Sequence, residues 1–476
     1  MNRDRPMRWA DRVFRRQFLA AAVLATLVVL AGCGTSTHAA DPAAGAARWF
    51  KGNTHVHSRW SDGRDFPEMV ADWYKTHGYQ FLVVTDHNTL QQGEKWVEVA
   101  KPEHVACLEK YRAKFGDDWV ETRTVRAEKD DPKAGIQAGQ AIVQARAKRL
   151  EEYRGRFEEP GRFLLIMGEE ITGKHGNVHV HMNALNLAEM VPPQQGKTFE
   201  ATIAADVAAV RAQEQAIGRP ILTQLNHPNW GGVVPVEQIW GVADLHFFEV
   251  MNSRPTEVFT RGNDTMLSTD RLWDVILAKR LGDLGLGPVY GIAADDSHSI
   301  DGGSGSGWVM VRATELAPGP LIQAMRRGDF YATTGVLLKN LQWDGKRLTV
   351  AVEPERGLTY RIQFIGTLPG YDRSREDARD EKGSLLPPTR RYSPDIGKVL
   401  KEVEGTRAEY VCSGRELYVR ARVVSSRVVP YPNKERDKGL PAVYETAWTQ
   451  PMVVRPAARD SFGFGGHNAC LLLQKV

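Results

Sequence analysis

Short apolar segments alternate with helical patterns over residues 49–335 of the chain. Five segments are apolar on both faces, as buried parallel strands are. They predict strands at residues 81–85, 163–167, 221–225, 246–250 and 289–293. Helical periodicity between them predicts helices over residues 66–77, 199–217 and 268–281. Strands that alternate with helices in this way indicate an α/β layer or barrel.

Residues 92–160 interrupt this alternation and are rich in Lys, Glu, Arg and Ala. We interpret them as an insertion after the second strand. The pattern of residues 136–157 predicts a long polar helix. The insertion is either a cap over the site or a solvated excursion, and the sequence favours neither.

The composition changes after Gly335. Residues 348–353, 359–364 and 416–423 carry β-forming side chains, and loops rich in Gly, Pro, Asp and Asn separate them. They predict a small antiparallel, β-sandwich-like domain over residues 340–457. Residues 366–400 are polar and predict a long loop, and residues 458–476 form a tail.

The N-terminal 33 residues have the layout of an export signal, with an arginine-rich start followed by an apolar run. The run ends in Leu-Ala-Gly-Cys, which resembles a bacterial lipobox with Cys33 as the lipidated residue. Arg15 and Arg16 lie in a segment that resembles a twin-arginine export motif, although Phe14 and Ala20 depart from the usual pattern. Residues 34–48 are predicted to be a flexible tether. We therefore expect an exported protein that is lipid-anchored to a bacterial membrane through Cys33.

The charge distribution argues against nucleic-acid binding. The formal net charge is +4, but six arginines and two aspartates fall within residues 1–33, so the remainder carries 56 basic and 56 acidic side chains. Binding through a broad basic surface requires unpaired Lys and Arg. The four cysteines suggest no disulfide framework, although a bridge between Cys412 and Cys470 is compatible with export.

Metal-ligand residues follow the predicted strands. His55 and His57 form an H-x-H pair, which places both imidazoles on one face of a strand. Further carboxylates and imidazoles follow at Asp62, Asp86, His87, Glu169, Glu170, His179, His181, His227, Asp296 and His298. Strand ends converge at one mouth of an α/β barrel, and this mixture of ligands suits Zn, Mn or Fe. The sequence therefore predicts a metal site.

These motifs resemble those of the PHP (polymerase and histidinol phosphatase) superfamily over residues 49–338. The resemblance rests on the segments Asn-Thr-His-Val-His-Ser from Asn53, Ser-Asp-Gly from Ser61, Thr-Asp-His from Thr85, Gly-Glu-Glu-Ile-Thr from Gly168, His227-Pro228 and Asp296-Ser297-His298. Residues 327–335 and 448–451 resemble the carbaryl-hydrolase-like branch. The resemblance implies a distorted seven-stranded β/α barrel that holds two or three divalent ions.

The resemblance also implies the ligands of each ion. The first ion is expected on His55, His57 and Asp296. Glu170 is expected to bridge it to a second ion on His181 and His227, and a third is expected on Asp62, His87 and His298. The family pattern selects Glu170 over Glu169 and His181 over His179, while Asp86 is expected to orient a ligand or hold the turn.

The expected chemistry is the cleavage of phosphate esters by a hydroxide that bridges two ions. The alternative is a carboxylic or carbamate esterase with the same site, which the branch resemblance favours. A second alternative is a non-catalytic surface binding module. The expected partner is a small-molecule ester, for which Arg254 is an anion-binding candidate. The proton for the leaving group comes either from a water on the third ion or from a side chain such as His179.

Overall fold

A computed structural model describes residues 46–132, 135–230, 234–252, 262–263, 266–379, 382–429 and 442–454. The predictions for Arg15, Arg16, Cys33, Arg254, Cys470 and the tail lie outside these residues. Cys412 is buried, and its pairing with Cys470 stays a prediction.

The helices begin and end at recognisable signals. They are α1 (Pro67–Thr76), α2 (Pro102–Phe115), α3 (Leu150–Phe157), α4 (Phe199–Ile217), α5 (Thr269–Lys279) and α6 (Pro318–Arg326). Thr198 caps α4 by accepting a 3.1 Å hydrogen bond from the backbone of Ala201, and Gly218 ends it with a φ of 66°. A π-helical turn, Arg280–Leu284, extends α5. Among the described residues, no helix combines the length and apolar character needed to cross a membrane.

Within the described residues, fourteen strands precede residue 335. They are β1 (Arg48–Asn53), β2 (Phe81–Val84), β3 (Lys95–Glu98), β4 (Thr122–Arg126), β5 (Ala141–Ala147), β6 (Leu164–His175), β7 (Val178–Leu185), β8 (Leu222–Leu225), β9 (Phe247–Asn252), β10 (Gly262–Asn263), β11 (Met266–Leu267), β12 (Tyr290–Ala294), β13 (Trp308–Ala313) and β14 (Phe330–Thr333). These elements confirm that the chain is a mixed α/β protein.

Ten strands follow. They are β15 (Leu338–Trp343), β16 (Arg347–Val352), β17 (Tyr360–Thr367), β18 (Arg375–Arg379), β19 (Leu385–Tyr392), β20 (Lys398–Glu404), β21 (Arg407–Val411), β22 (Tyr418–Val428), β23 (Tyr444–Thr449) and β24 (Met452–Val453). They confirm a C-terminal β region. Within the described residues, a large sheet runs β12-β9-β8-β7-β6-β2-β1-β13-β14-β23-β22-β17-β20, with β24 on β22. β17, β20, β22, β23 and β24 thus continue the sheet of the first half, whereas β15, β16 and β21 form a separate three-stranded sheet.

The strands around the site share one direction except for β7. β1, β2 and β6 pair in parallel, as do β8, β9 and β12. β7 pairs antiparallel with both β6 and β8, so it joins these two groups. At the ends of the run, Val56 after β1 and Ser297 after β12 form an isolated parallel bridge. Closure into a seven-stranded barrel stays a prediction.

The long polar helix predicted over residues 136–157 is wrong. β5 occupies the centre of a three-stranded antiparallel sheet with β3 and β4, and α3 begins only at Leu150. Gly139 has a φ of 81°, which interrupts a helix, and Ile142, Ala145 and Ala147 are buried against neighbours. Composition favoured a helix, but pairing with the flanking strands decides the structure.

The long loop predicted over residues 366–400 is also wrong. β18 and β19 form an antiparallel hairpin, and β20 begins at Lys398. The side chain of Arg271 on α5 donates hydrogen bonds to the carbonyl oxygens of Tyr392, at 3.1 Å, and Ser393, at 2.6 Å. The hairpin is polar and is stabilised by hydrogen bonds from a helix that is distant in the sequence. The local sequence pattern does not reveal these bonds.

Candidate metal centre

Nine side chains converge where the parallel strands end. His55 and His57 follow β1, His87 follows β2, His227 follows β8, and Asp296 and His298 follow β12. Glu170 lies within β6, and His181 lies on the neighbouring β7, where it pairs with Thr172. Four overlapping groups bring ligand atoms close enough to share an ion: His57, Asp62, His87 and His298; His55, Glu170 and His227; His55, His57 and Asp296; and His87, Glu170 and His181.

Glu170 is the central carboxylate of this cluster, and its side chain is fully buried. Five imidazole nitrogens lie within 3.4 Å of its oxygens: His55 at 3.4 Å, His57 at 3.3 Å, His87 at 2.8 Å, His181 at 3.1 Å and His227 at 3.3 Å. Burial by itself would raise the pKa of Glu170, but the neighbouring charges of His55 and His181 hold it well below the ordinary value. The carboxylate is therefore ionised and contacts imidazoles that follow β1, β2 and β8 and one that lies on β7.

Asp296 approaches the same centre from β12. Its Oδ1 lies 3.1 Å from His57 Nε2 and 3.4 Å from His55 Nε2. Although burial opposes ionisation, His55 and His57 lower the pKa of Asp296 strongly. Its backbone has a φ of 46°, a left-handed conformation that costs free energy in a non-glycine residue and concentrates at functional sites.

Asp295 holds the loop that follows. Its carboxylate accepts hydrogen bonds from the backbone of Gly305, Ser306 and Gly307 at 2.8, 2.8 and 2.9 Å, and from the hydroxyl of Tyr74 at 2.7 Å. Burial raises its pKa to about 6. Its partners place it outside the metal cluster.

Asp62 marks the open side of the centre, because 59% of its side chain is exposed whereas the other ligand side chains are 24% exposed or less. His298 Nε2 lies 3.1 Å from its Oδ1, and His87 Nε2 lies 3.6 Å away. A tight turn places Asp62 here, because a Cβ on Gly63 would lie 2.5 Å from the backbone nitrogen of Ser58. A solvent molecule or substrate can approach from this side.

Asp86 organises this turn, as the sequence led us to expect. Its carboxylate accepts hydrogen bonds from the backbone of Ser58 at 2.8 Å, the hydroxyl of Ser61 at 2.7 Å and the amide of Gln91 at 2.9 Å. The insertion supports the same turn: the Trp60 indole donates a 2.8 Å hydrogen bond to the carbonyl of Lys148. The insertion is thus packed beside Asp62 and is more than a solvated excursion.

The surroundings of Glu169 and His179 distinguish them from the neighbouring ligand candidates Glu170 and His181. Glu169 accepts a 2.8 Å hydrogen bond from the backbone of Val191, and burial together with Asp206 raises its pKa to about 7. It shares no metal group with Glu170. His179 lies beside His181 with ring centroids 5.2 Å apart, and burial lowers its pKa. None of the four described groups includes it.

Glu249, Asn226 and Trp230 belong to the site but were missed by the sequence argument. Glu249 Oε1 lies 2.7 Å from His55 Nδ1, and the Asn226 amide donates a 2.9 Å hydrogen bond to Glu170. The signal for Glu249 was a carboxylate inside the fully buried strand β9. The Trp230 ring lies 5.0 to 5.5 Å from the rings of three histidines, His179, His181 and His227.

The donor set fits divalent cations. His55 Nε2 and His57 Nε2 face each other at 3.2 Å, and the buried His181 Nε2 has no hydrogen-bond partner among the described residues. Burial and the nearby His298 lower the pKa of His57 to about 4, so its imidazole is neutral and can coordinate at pH 7. Imidazole nitrogens and carboxylate oxygens that converge in this way are suitable ligands for Zn, Mn or Fe.

Comparisons with known proteins give limited information. No family model and no curated protein matches the chain. One similar structure is a two-domain protein from Bacteroides vulgatus that contains a predicted PHP-like metal-dependent phosphoesterase; it is 14% identical, covers 87% of this chain and 100% of its own, and has a TM-score of 0.33. Another, classed as a metal-dependent phosphoesterase, comes from Bifidobacterium adolescentis; it is 16% identical, covers 52% and 87%, and has a TM-score of 0.24. At these TM-scores neither supports a functional argument.

Proposed function

We propose that this protein is a metal-dependent hydrolase that cleaves phosphate esters. The observation that carries the proposal is the buried Glu170 carboxylate with five imidazoles within 3.4 Å. Five imidazoles and a second carboxylate, Asp296, form a costly buried cluster unless cations bind among them. Overlapping groups that share Glu170, His55 and His57 support more than one ion.

The nine ligand residues would hold two or three divalent ions. When bound, such ions acidify a coordinated water and polarise the oxygen of the bond under attack. The chain contributes the geometry: Glu249 orients His55, Asn226 orients Glu170, and Asp86 holds the turn that carries Asp62. These three ligands are thereby held in place before substrate arrives.

The neighbouring side chains suggest where the ester lies. The open side at Asp62 provides access, and the Trp230 ring forms a wall beside His179, His181 and His227. His179 can hold a proton near the leaving group, since it lies beside the cluster without belonging to a described metal group. We keep it as the proton-donor candidate.

A substrate panel tests this proposal. The purified protein is supplied with Zn or Mn and assayed on a phosphomonoester, a phosphodiester, a carboxylic ester and a carbamate. We expect the phosphate esters to be cleaved faster, and the variants His57→Ala and Asp296→Asn to lose about a hundredfold or more, since each bound ion supplies several kcal/mol. His77→Ala and Asp301→Asn, both outside the cluster, are the matched controls.

Preferential cleavage of the carboxylic ester or the carbamate would replace the phosphoesterase by the esterase alternative. Equal, slow rates for all substrates in the wild type and the two ligand variants would instead favour the binding module.

We also propose that the protein is exported and anchored through a lipid on Cys33, because Cys33 ends the lipobox-like segment described above. Cys33→Ser should release the protein from the membrane fraction, and Arg15→Lys with Arg16→Lys should block export by the twin-arginine route. Membrane retention of Cys33→Ser would contradict the anchor.

A further inference from the structure

A cavity of about 280 Å³ lies between α5 and the β18–β19 hairpin. It is lined by α5, by the π-helical turn after it and by the hairpin with its flanking residues, and it includes none of the nine ligand residues. Its volume is near the lower end of the range for small-molecule sites. It is therefore a separate recess, whose lining decides what it can hold.

Aromatic side chains form part of the lining. Trp240 and Tyr392 meet edge to face with ring centroids 6.5 Å apart, and Tyr371 lies on the side nearer the π-helical turn. The Tyr371 hydroxyl donates a 3.3 Å hydrogen bond to Asp283. Such rings provide apolar faces for a planar ring or for the C–H face of a sugar.

Positive charge exceeds negative charge around the cavity. Lys279 and Arg373 share the carboxylate of Asp283, each at 2.8 Å. Arg375 and Arg390 share the carboxylate of Glu237, at 3.7 and 3.3 Å. At Asp283 two cations face one carboxylate, so one positive charge is in excess there, whereas Arg390 also lies 3.4 Å from Asp377, which balances the second group.

The guanidinium donors are also incompletely used. Among bonds to described residues, Arg373 engages Asp283 through Nε, which leaves its terminal nitrogens for another acceptor. Arg375 contacts Glu237 only at 3.7 Å, beyond hydrogen-bond distance. Guanidinium groups of this kind bind phosphate, sulfate and carboxylate in a bidentate manner.

The cavity is preformed. Arg271 crosses from α5 to the hairpin and donates to the carbonyl oxygens of Tyr392, Ser393 and Ile396. The hairpin wall is therefore tied to the helix wall before any ligand binds, which reduces the entropy lost on binding.

We propose that this cavity binds a small anion that carries a ring, with the anionic group on Arg373 and Arg375 and the ring against Trp240 and Tyr392. The ring is either a sugar or an aromatic group, since both suit the same aromatic walls. The inference does not depend on the proposed hydrolase activity.

The test uses the full chain freed of metal by a chelator, so that the anion cannot bind through ions. Phenylphosphonate, glucose 6-phosphate, inorganic phosphate and glucose are titrated by calorimetry. We expect a ring-bearing anion to bind with a Kd below about 1 mM, and Arg373→Ala with Arg375→Ala to weaken it roughly tenfold or more. Lys279→Ala is a second variant, and Arg407→Ala, an exposed arginine on β21, is the control.

Tighter binding of glucose 6-phosphate would show that the ring is a sugar, and tighter binding of phenylphosphonate would show that it is aromatic. The proposal is overturned if neither ring-bearing anion saturates the protein, if the arginine variant binds as the wild type does, or if inorganic phosphate binds as tightly as both.

Discussion

Glu249 accepts a 2.7 Å hydrogen bond from Nδ1 of His55, and both side chains are fully buried. In a neutral imidazole this bond leaves the Nε2 lone pair facing His57, Glu170 and Asp296. Glu249 also accepts hydrogen bonds from the backbone of His227 at 2.9 Å and from Asn252 at 2.8 Å. One carboxylate thus positions two adjacent ligand segments without itself belonging to a metal group.

Glu249→Gln should therefore weaken metal binding while leaving all nine ligands in place. We expect a loss of about 10- to 100-fold in affinity, which is usual for a carboxylate that orients a metal-bound imidazole. Competition with a chelating dye measures it. Glu353→Gln, on the exposed surface, should bind as the wild type does; equal affinity for both variants would contradict the orienting role.

The adjacent glutamates should respond oppositely to the same substitution. Glu170→Gln removes the charge that five imidazoles surround, so metal content and hydrolysis should both fall by about a hundredfold or more. Glu169→Gln removes a carboxylate whose pKa is raised to about 7 by burial. This variant should retain both its metal content and its hydrolytic activity. Metal analysis with an activity assay compares them, and the reverse order would refute the choice of Glu170.

Asp62→Asn should remove an outer ion while sparing the inner ones. Asp62 belongs only to the group with His57, His87 and His298, whereas Asp296 belongs to an inner group with His55 and His57. We expect mass spectrometry of the native protein to show one ion fewer per chain than in the wild type. An unchanged ion count would show that the outer group holds none.

Arg420→Leu should destabilise the fold without touching the metal centre. Arg420 is fully buried and donates to Asp270 at 2.6 Å and to Asp274 at 2.7 and 2.9 Å, which joins β22 to α5. Removing it takes the bonded guanidinium from Asp274, which keeps the Tyr418 hydroxyl, and leaves Asp270 with Arg422, so the free energy of unfolding should fall by about 3 kcal/mol. Urea denaturation measures the loss of stability, with Arg407→Leu as the control. Equal denaturation midpoints for the two variants would contradict the prediction.

The sequence predicted those parts of the fold that local pattern decides. β2, β8, β9 and β12 lie within a residue or two of the predicted segments, because short, wholly apolar runs have few structures open to them. The β6–β7 hairpin was missed because residues 172–178 are largely polar. Their strand structure depends on the pairing of β6 with β7, which the local pattern does not show. The errors in residues 136–157 and 366–400 have the same cause.

The candidate site was likewise predicted in part from the sequence. The nine expected ligand residues all lie in the cluster, because their motifs follow strands that end at one edge; their binding of ions stays a prediction. Glu249 and Asn226 escaped notice because they touch ligands only through the fold. The left-handed backbone of Asp296 had no counterpart in the sequence pattern.

The release of phosphate from a phosphomonoester by chelated and metal-resupplied protein tests the central claim most directly. We predict that chelation abolishes release, that Zn or Mn restores it to the wild type, and that neither ion restores it to Asp296→Asn. Full activity after chelation, or equal restoration of the variant, would show that the cluster around Glu170 is not a metal-dependent hydrolytic site.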